Sequence, residues 1–512
     1  MQLKQIALAV AAATAAPAAL ALAPSAIDAN TVRLWVSGAS APTASVFKGF
    51  MTLCEGMEYK DANGDVKTNP GSLNAHLYLE SSAPGRLPGN AGDRMAYACK
   101  VSTNDGRAGS LEGKNVVLYH TVEGGSFNAY APHIRILGEA NPSLPGSLRR
   151  IRNVQDLATS GQCAAGIAET VSVDVSGVIN NVKVYRGCST TVVNFNPGQP
   201  KRATPTAEPD RPDGGYSDTE YLINKLNLGI TTDLDQIGSE VSTNIGQVFG
   251  VAVSYPLYYQ LQKNDVLSGL IAPSCIAFPH TASSPNLGLA CQPNLPAHKY
   301  TAIAAADSIG GVDATTFGAA APTPPGGKIQ LHRRAITSGT QSASNLRFLN
   351  KPCARGEAGG ALEPARSTDS TDYVTVTENS STGGVRTGLT NASNAGQYGL
   401  GIVSMENVPT ASDRWAFVKL SGVSPNSDAK QRANAMSGNY DFWYELVGFT
   451  ADSDSAPALY EAKNLMDALN VSLGNPAITD LTGLFITPMA GVTGSNVGSG
   501  TRMGKSCQPI VQ

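Results

Sequence analysis

The sequence predicts an α/β fold of two or more lobes, with parallel sheets flanked by helices on both faces and decorated with disulfide-stapled insertions. Three observations lead there. Short apolar-alternating runs pass repeatedly into small-residue loops and then into segments of helical spacing, the pattern of strands connected through helices. At 512 residues the chain is too long for one ordinary core. Eight cysteines, at positions 54, 99, 163, 188, 275, 291, 353 and 507, all lie beyond an N-terminal export signal, and an even number in an exported chain reads as disulfides.

The signal is a basic start, Met1-Gln2-Leu3-Lys4-Gln5, followed by an Ala/Leu-rich run from Ile6. Cleavage is expected after Ala23 or, by preference, after Ala29, and residues 1–29 are set aside from fold reasoning. No cysteine stands at either place, so no lipid anchor is expected, and the mature chain is placed in the periplasm, in the medium or at the cell surface. Beyond the signal no apolar run reaches about 18 residues, so no membrane insertion is expected after cleavage. Charged residues make up 15% of the chain and the formal net charge is -3, which excludes the basic excess of a nucleic-acid binder. The cysteines form no C-x-x-C pair and no compact cluster with histidine, so neither metal, redox chemistry nor any other cofactor is expected. Their sequential pairing (54 with 99, 163 with 188, 275 with 291, 353 with 507) is the expectation, although spacing leaves the connectivity open.

Taken in order, Val32 to Val36 alternates as a strand and enters Ser37-Gly38-Ala39-Ser40-Ala41-Pro42-Thr43. Val46, Phe47, Phe50, Met51 and Leu53 then fall on one face of a helix. Residues 55–113 read as a turn-rich elaboration. Asn115 to His120 reads as a strand entering a Gly124-Gly125-Ser126 loop. Residues 143–212 read as a second insertion ending in a Pro-rich surface stretch, followed by the polar turn Gly214-Gly215-Tyr216-Ser217-Asp218. Asp218 by itself reads as a cap for a helix beginning near Tyr221. Ile245 to Tyr255, β-rich and uncharged, fits a buried strand crossing between lobes. After an Ala/Pro/Gly-rich segment, Lys328 to Leu331 alternates and runs into His332-Arg333-Arg334-Ala335-Ile336-Thr337-Ser338-Gly339-Thr340, with helical spacing after it. Residues 356–396 read as a third turn-rich stretch, Tyr398 to Ser404 as a strand, and Ala456 to Leu473 as a closing helix.

The Arg334–Thr340 stretch carries the clearest chemistry. A strand ends in an arginine, a Ser-Gly-Thr turn follows, and a helix begins whose first N–H groups have no partner within it. Free amides, the positive end of the helix dipole and the hydroxyls of Ser338 and Thr340 converge on one place, Gly339 permits close approach, and Arg334 offers a planar fork for an oxyanion. Such a turn is also an ordinary helix cap.

These motifs, in this order, resemble the periplasmic phosphate-binding proteins of ABC transporters, a PstS-like branch of type II solute-binding proteins. Ser37-Gly38-Ala39-Ser40-Ala41-Pro42 is similar to that family's first phosphate loop, Gly124-Gly125-Ser126 to its second, Gly215-Tyr216-Ser217-Asp218 to its Gly-x-Ser-Asp element, and Arg334 to Thr340 to its Arg-x-x-x-Ser-Gly-Thr signature. The resemblance implies a two-lobe periplasmic-binding-protein-like fold, each lobe a mixed sheet flanked by helices, with residues 30–247 in lobe 1, 248–399 in lobe 2 and 400–512 returning to lobe 1. It implies inorganic phosphate held by Ser40, Ala41, Ser126, Asp218, Arg334, Ser338, Gly339 and Thr340, an ABC permease as partner in phosphate uptake, and a monomer. Two departures stand out: Ile336 occupies the place of an Asp that orients the arginine, and Ala41 replaces an aromatic.

Among these groups only Asp218 is negative, and a carboxylate beside an anion costs energy unless the anion brings a proton. Hydrogen phosphate does so; sulfate does not. No catalytic motif of the G-x-S-x-G or H-E-x-x-H kind occurs, the six histidines are scattered, and His332 is expected in a core or surface role, so no enzyme is expected. The competing class is an exported interaction or adhesion protein that keeps the scaffold and binds phosphate weakly or not at all, a reading favoured by the large insertions and by Ile336.

Overall fold

The computed structural model describes residues 27–512 other than 29, 91, 104–105, 142–147, 152–162, 164–168, 189–191, 196–210, 306–311, 313, 319–327, 355–359, 368–373, 411 and 453–457. The signal segment with its cleavage sites, nearly all of the Pro-rich stretch and most of the Ala/Pro/Gly-rich segment before Lys328 lie outside the described residues.

The main elements in chain order are β1 (Val32–Gly38), α1 (Thr43–Met51), β2 (His76–Leu79), β3 (Arg94–Lys100), β4 (Asn115–Thr121), β5 (Glu169–Val175), β6 (Val178–Tyr185), β7 (Gly214–Ser217), α2 (Tyr221–Leu228), β8 (Gly238–Ser254) and α3 (Tyr255–Leu267). They continue with β9 (Ile329–Arg334), α4 (Gly339–Leu349), β10 (Val374–Asn379), α5 (Thr382–Asn394), β11 (Tyr398–Ser404), β12 (Trp415–Phe417), β13 (Trp443–Ala451), α6 (Ala458–Leu473) and β14 (Leu484–Ile486). One mixed sheet runs β10-β9-β11-β8-β13-β7-β1-β4-β3-β2-β6-β5, with β12 and β14 also paired to β8. The fold is thus mixed α/β with helices against a large sheet.

Two parallel groups matter for function. In the first, β1 lies parallel to both β4 and β7, with Trp35 opposite Tyr119 and Ser37 opposite Gly215. In the second, β9 lies parallel to both β10 and β11. Every residue of β1 is buried, Arg33 and Ser37 included, although its sequence alternates like a half-exposed strand; parallel neighbours on both sides place it inside the sheet. The Trp35 and Tyr119 rings stack at 4.9 Å across the β1–β4 pair.

The seventeen-residue β8 crosses between the groups; the uncharged run from Ile245, read as the crossing strand, forms its later part, and the strand begins seven residues earlier, at Gly238. Its first half, partly exposed, pairs with β13; after a register shift between Ser242 and Gly246 it becomes fully buried and pairs with β11 and β12. One core gathers around β1 and α1 (Leu34, Val46, Phe50, Leu118, Leu469) and a second around the later half of β8 (Val251, Leu331, Leu346, Val403, Trp443). The second core takes in Tyr398, Leu400, Trp415 and Tyr440, residues on both sides of position 400.

All three stretches read as insertions are more than that: within 143–212, β5 and β6 pair with each other and β6 extends the main sheet beside β2. Within 55–113, His76–Leu79 and Arg94–Lys100 are buried strands of the main sheet. Within 356–396, β10 and α5 form a regular strand and helix. Shortness hides β2, since a four-residue strand between turns gives little periodicity to read.

The cysteines pair sequentially, Cys54–Cys99, Cys163–Cys188, Cys275–Cys291 and Cys353–Cys507, as expected. Four disulfides fit an oxidising compartment. Among the described residues no helix is long and apolar enough to cross a membrane.

Candidate functional site

Six strand ends meet at one cavity. Because β1, β4 and β7 are mutually parallel, the loops after them leave the sheet on one side, and the parallel set β9, β10 and β11 does the same from the other lobe. Between them lies a cavity of about 520 Å³. Ser40 and Ala41 reach it from the loop after β1, Ser126 from that after β4, Asp218 from that after β7, and Arg334, Ser338 and Thr340 from the end of β9 and the start of α4. Gly339 lies beneath them: a Cβ there would stand 2.3 Å from Asp218 Oδ2 and 2.5 Å from Ser126 Oγ. The structure therefore brings all eight sequence-predicted site residues together.

Local geometry explains how. Gly38 has φ +113°, and a Cβ on it would meet the Tyr216 carbonyl oxygen at 2.1 Å, so glycine lets the first loop close over β7. The Ala39 amide donates to that same carbonyl at 2.7 Å. The second loop is pinned across the lobes, the Phe127 amide donating to the Thr337 carbonyl at 3.1 Å. Ser338 sits at the N-cap position of α4 with extended backbone, yet its hydroxyl makes no capping bond. Nor is Asp218 a cap: the N-cap of α2 is Glu220. Both plain structural roles considered for these residues are therefore absent.

Asp218 is 6% exposed. Its Oδ2 accepts the Ser126 hydroxyl at 2.8 Å, while Oδ1 is buried with no hydrogen-bond partner among the described residues. Burial pushes its carboxyl up to about 6, with Glu406 pushing the same way and the Ser126 hydroxyl and Arg334 opposing. Arg334 is buried as well; Nη1 donates to Thr382 Oγ1 at 2.7 Å and Nη2 to the Ser380 carbonyl at 3.1 Å. Burial lowers its pKa against the pull of Asp218, Glu406 and Asp93.

Ile336, the apparent gap in arginine support, packs beside a small apolar cluster of Phe127, Tyr130, Ile134 and Tyr221. The guanidinium is oriented instead by the loop after β10, whose Ser380, Ser381, Thr382 and Gly383 line the cavity. That loop is a missed part of the site. Its signal is legible in retrospect: Val374-Thr375-Val376-Thr377 alternates and leads into Ser380-Ser381-Thr382-Gly383-Gly384, the same strand, small-residue loop and helix unit found at the other site loops. Also missed are Asp93, Glu123, Arg149, Gln247, Ser404 and Glu406. Glu123 is ion-paired with Arg94 at 2.8 Å and with Arg149. His332 is buried against Gly388 of α5 and neither ring nitrogen has a hydrogen-bond partner among the described residues, a core position.

No family model matches the sequence, and no curated protein matches it. Among solved structures, the chain is similar to the crystal structure of a possible phosphate binding protein from Planctomyces limnophilus DSM 3776. The two are 17% identical over 45% of this chain and 67% of that one, with a TM-score of 0.24. A likeness at that level carries no weight for the site, whose chemistry rests on the residues themselves.

Proposed function

We propose that this protein is an exported binder of inorganic phosphate, taking hydrogen phosphate into the cavity between its lobes, closing on it by a hinge motion and serving phosphate uptake by delivering it to an ABC permease. The observation that carries the reading is Asp218 Oδ1, a buried acceptor without a hydrogen-bond partner among the described residues, in one cavity with the buried guanidinium of Arg334. An arginine fork with the hydroxyls of Ser126, Ser338 and Thr340 suits an oxyanion. A carboxylate beside it suits an oxyanion that still carries a proton, because an unpaired buried acceptor costs about 1–3 kcal/mol and a proton-bearing ligand removes that cost. The reading gives each of these groups a binding role and none a catalytic one, and it takes the protein as a monomeric binder. The alternative, an exported interaction protein on the same scaffold, gives no reason for that acceptor to stay buried and unpaired.

The deciding experiment is calorimetric titration of the purified chain with phosphate and with sulfate near neutral pH, repeated on Asp218→Asn. Phosphate is expected to bind and sulfate to bind at least tenfold more weakly; the variant should lose that preference. Equal affinity for the two anions in the unaltered protein would overturn the assignment.

A further inference from the structure

Asp218 is not the only carboxylate in the cavity. Glu406, two residues beyond the end of β11, also lines it. Its Oε1 accepts the Ser404 hydroxyl at 2.7 Å, and its Oε2 has one long contact, Gln247 Nε2 at 3.4 Å. Among the cavity-lining side chains Asp93, Glu123, Asp218 and Glu406 face only two cations, Arg149 and Arg334. Glu123 is accounted for by Arg94 and Arg149. Asp93 is exposed, with Arg94 and Arg149 as the cations acting on it, so the two inner carboxylates, Asp218 and Glu406, are left to share Arg334, which makes its own hydrogen bonds to Thr382 and Ser380. Bringing a dianion into such a lining without a further proton would set it against two negative groups, the buried Asp218 and the partly buried Glu406.

We propose that Glu406 is a second proton acceptor in the cavity, so that the ligand is taken up with one more proton than Asp218 alone would accommodate. This rests on the reading of the cavity as a phosphate site and narrows it to a protonation state. Near pH 8, where free phosphate is mainly the dianion, one proton enters from solvent with each ligand and is held between a ligand oxygen and Glu406; no other bond forms or breaks. The bound species is then dihydrogen phosphate, or hydrogen phosphate against a protonated Glu406, which are the same proton count. Burial already raises the Glu406 carboxyl above its ordinary range, against the Ser404 hydroxyl, its own backbone, Gln247 and Arg334.

The test is titration of the full chain with inorganic phosphate at pH 8 in two buffers of different ionisation heat, which counts protons directly and needs no variant. The expected count is about one proton taken up per phosphate, with affinity falling about tenfold per pH unit above 7.5. Glu406→Gln, which keeps the side-chain shape, should bring the count close to zero and flatten that slope, its fold checked by the thermal midpoint. Phosphate binding without proton uptake, or Glu406→Gln with an unchanged count, overturns this inference and leaves the phosphate reading standing. Absence of phosphate binding at every pH overturns both.

Discussion

The backbone amide of Phe127 donates to the carbonyl of Thr337, 3.1 Å away, and this one bond joins the loop after β4 in the first lobe to the turn before α4 in the second. Contacts on either side are equally close. A Cβ on Gly125 would stand 3.2 Å from Ser338 Cα, and Gly339 lies directly against Asp218 and Ser126. In α4 and α2, Ser342 Oγ donates to Asn224 Oδ1 at 3.2 Å. The anion cavity is thus bounded on one side by a seam where the two lobes touch, so the geometry of its donors depends on how tightly that seam is packed.

Gly339→Ala tests the seam. The added methyl would sit 2.3 Å from Asp218 Oδ2 and 2.5 Å from Ser126 Oγ, distances at which one side must move. Overpacking of this kind costs about 1–3 kcal/mol of stability. Because the displaced groups are the proposed ligand contacts, phosphate affinity should fall further, by about a hundredfold or about 2.7 kcal/mol. Titration and a urea melt on the same sample separate the two effects. A variant that binds phosphate as the unaltered chain does would show that Gly339 and Asp218 do not meet at the site.

How much of this was legible in the sequence depends on whether the information was local. Arg334 with Ser338, Gly339 and Thr340 lies within one turn, so its chemistry could be read directly. Asp218 and Ser126 are 92 residues apart and joined by a single hydrogen bond, and only a resemblance in motif order linked them beforehand. Support for Arg334 was sought two residues away at Ile336 and lies instead at Ser380 and Thr382, 46 and 48 residues on. Ile336 faces a cross-lobe apolar cluster, an environment that no local pattern encodes. Glu406 gives no signal at all, because an acid after a strand is an ordinary surface choice, and its contacts to Ser404 and Gln247 and its place in the cavity appear only in the folded chain.

The buried histidine of β9 gives a prediction about pH. Burial lowers the His332 pKa to about 4 from an ordinary 6.5, so the folded chain holds the ring neutral while the unfolded chain protonates it as pH falls below 6.5. Its contribution is therefore fully present above pH 6.5 and is lost progressively toward pH 4, on the order of 3 kcal/mol across that window. His332→Leu removes both the titration and two unpartnered ring nitrogens. The stability of the variant relative to the unaltered chain should therefore rise steadily as pH falls from 6.5 to 4, with phosphate binding at pH 7 unchanged. A pH-independent difference in urea midpoints would mean that His332 is charged or solvated in the folded protein.

The C-terminal tail ties the two sides of the site together from behind. Cys507 is bonded to Cys353, just beyond α4, while the neighbouring Ser506 amide donates to Glu220 Oε1 at 2.8 Å, at the start of α2. Arg502 donates to the carbonyls of Trp443 and Asp441, and its own amide donates to Glu445 at 2.9 Å. The start of α2 and the loop beyond the end of α4 are therefore held by one short segment. The Cys353–Cys507 link closes a sequence separation of 154, against 45, 25 and 16 for the others, so it removes the most freedom from the unfolded chain. Loop-closure entropy sets its contribution at about 5 kcal/mol before any offset from residual structure in the unfolded chain. Replacing both cysteines by serine should lower the urea midpoint more than removing any other pair and make Arg502 and Lys505 accessible to trypsin. None of Cys353, Cys507, Glu220 or Glu445 lines the cavity, so phosphate affinity should drop less than tenfold. Tryptic resistance of the tail together with an unchanged midpoint would show that those polar contacts alone hold the strap.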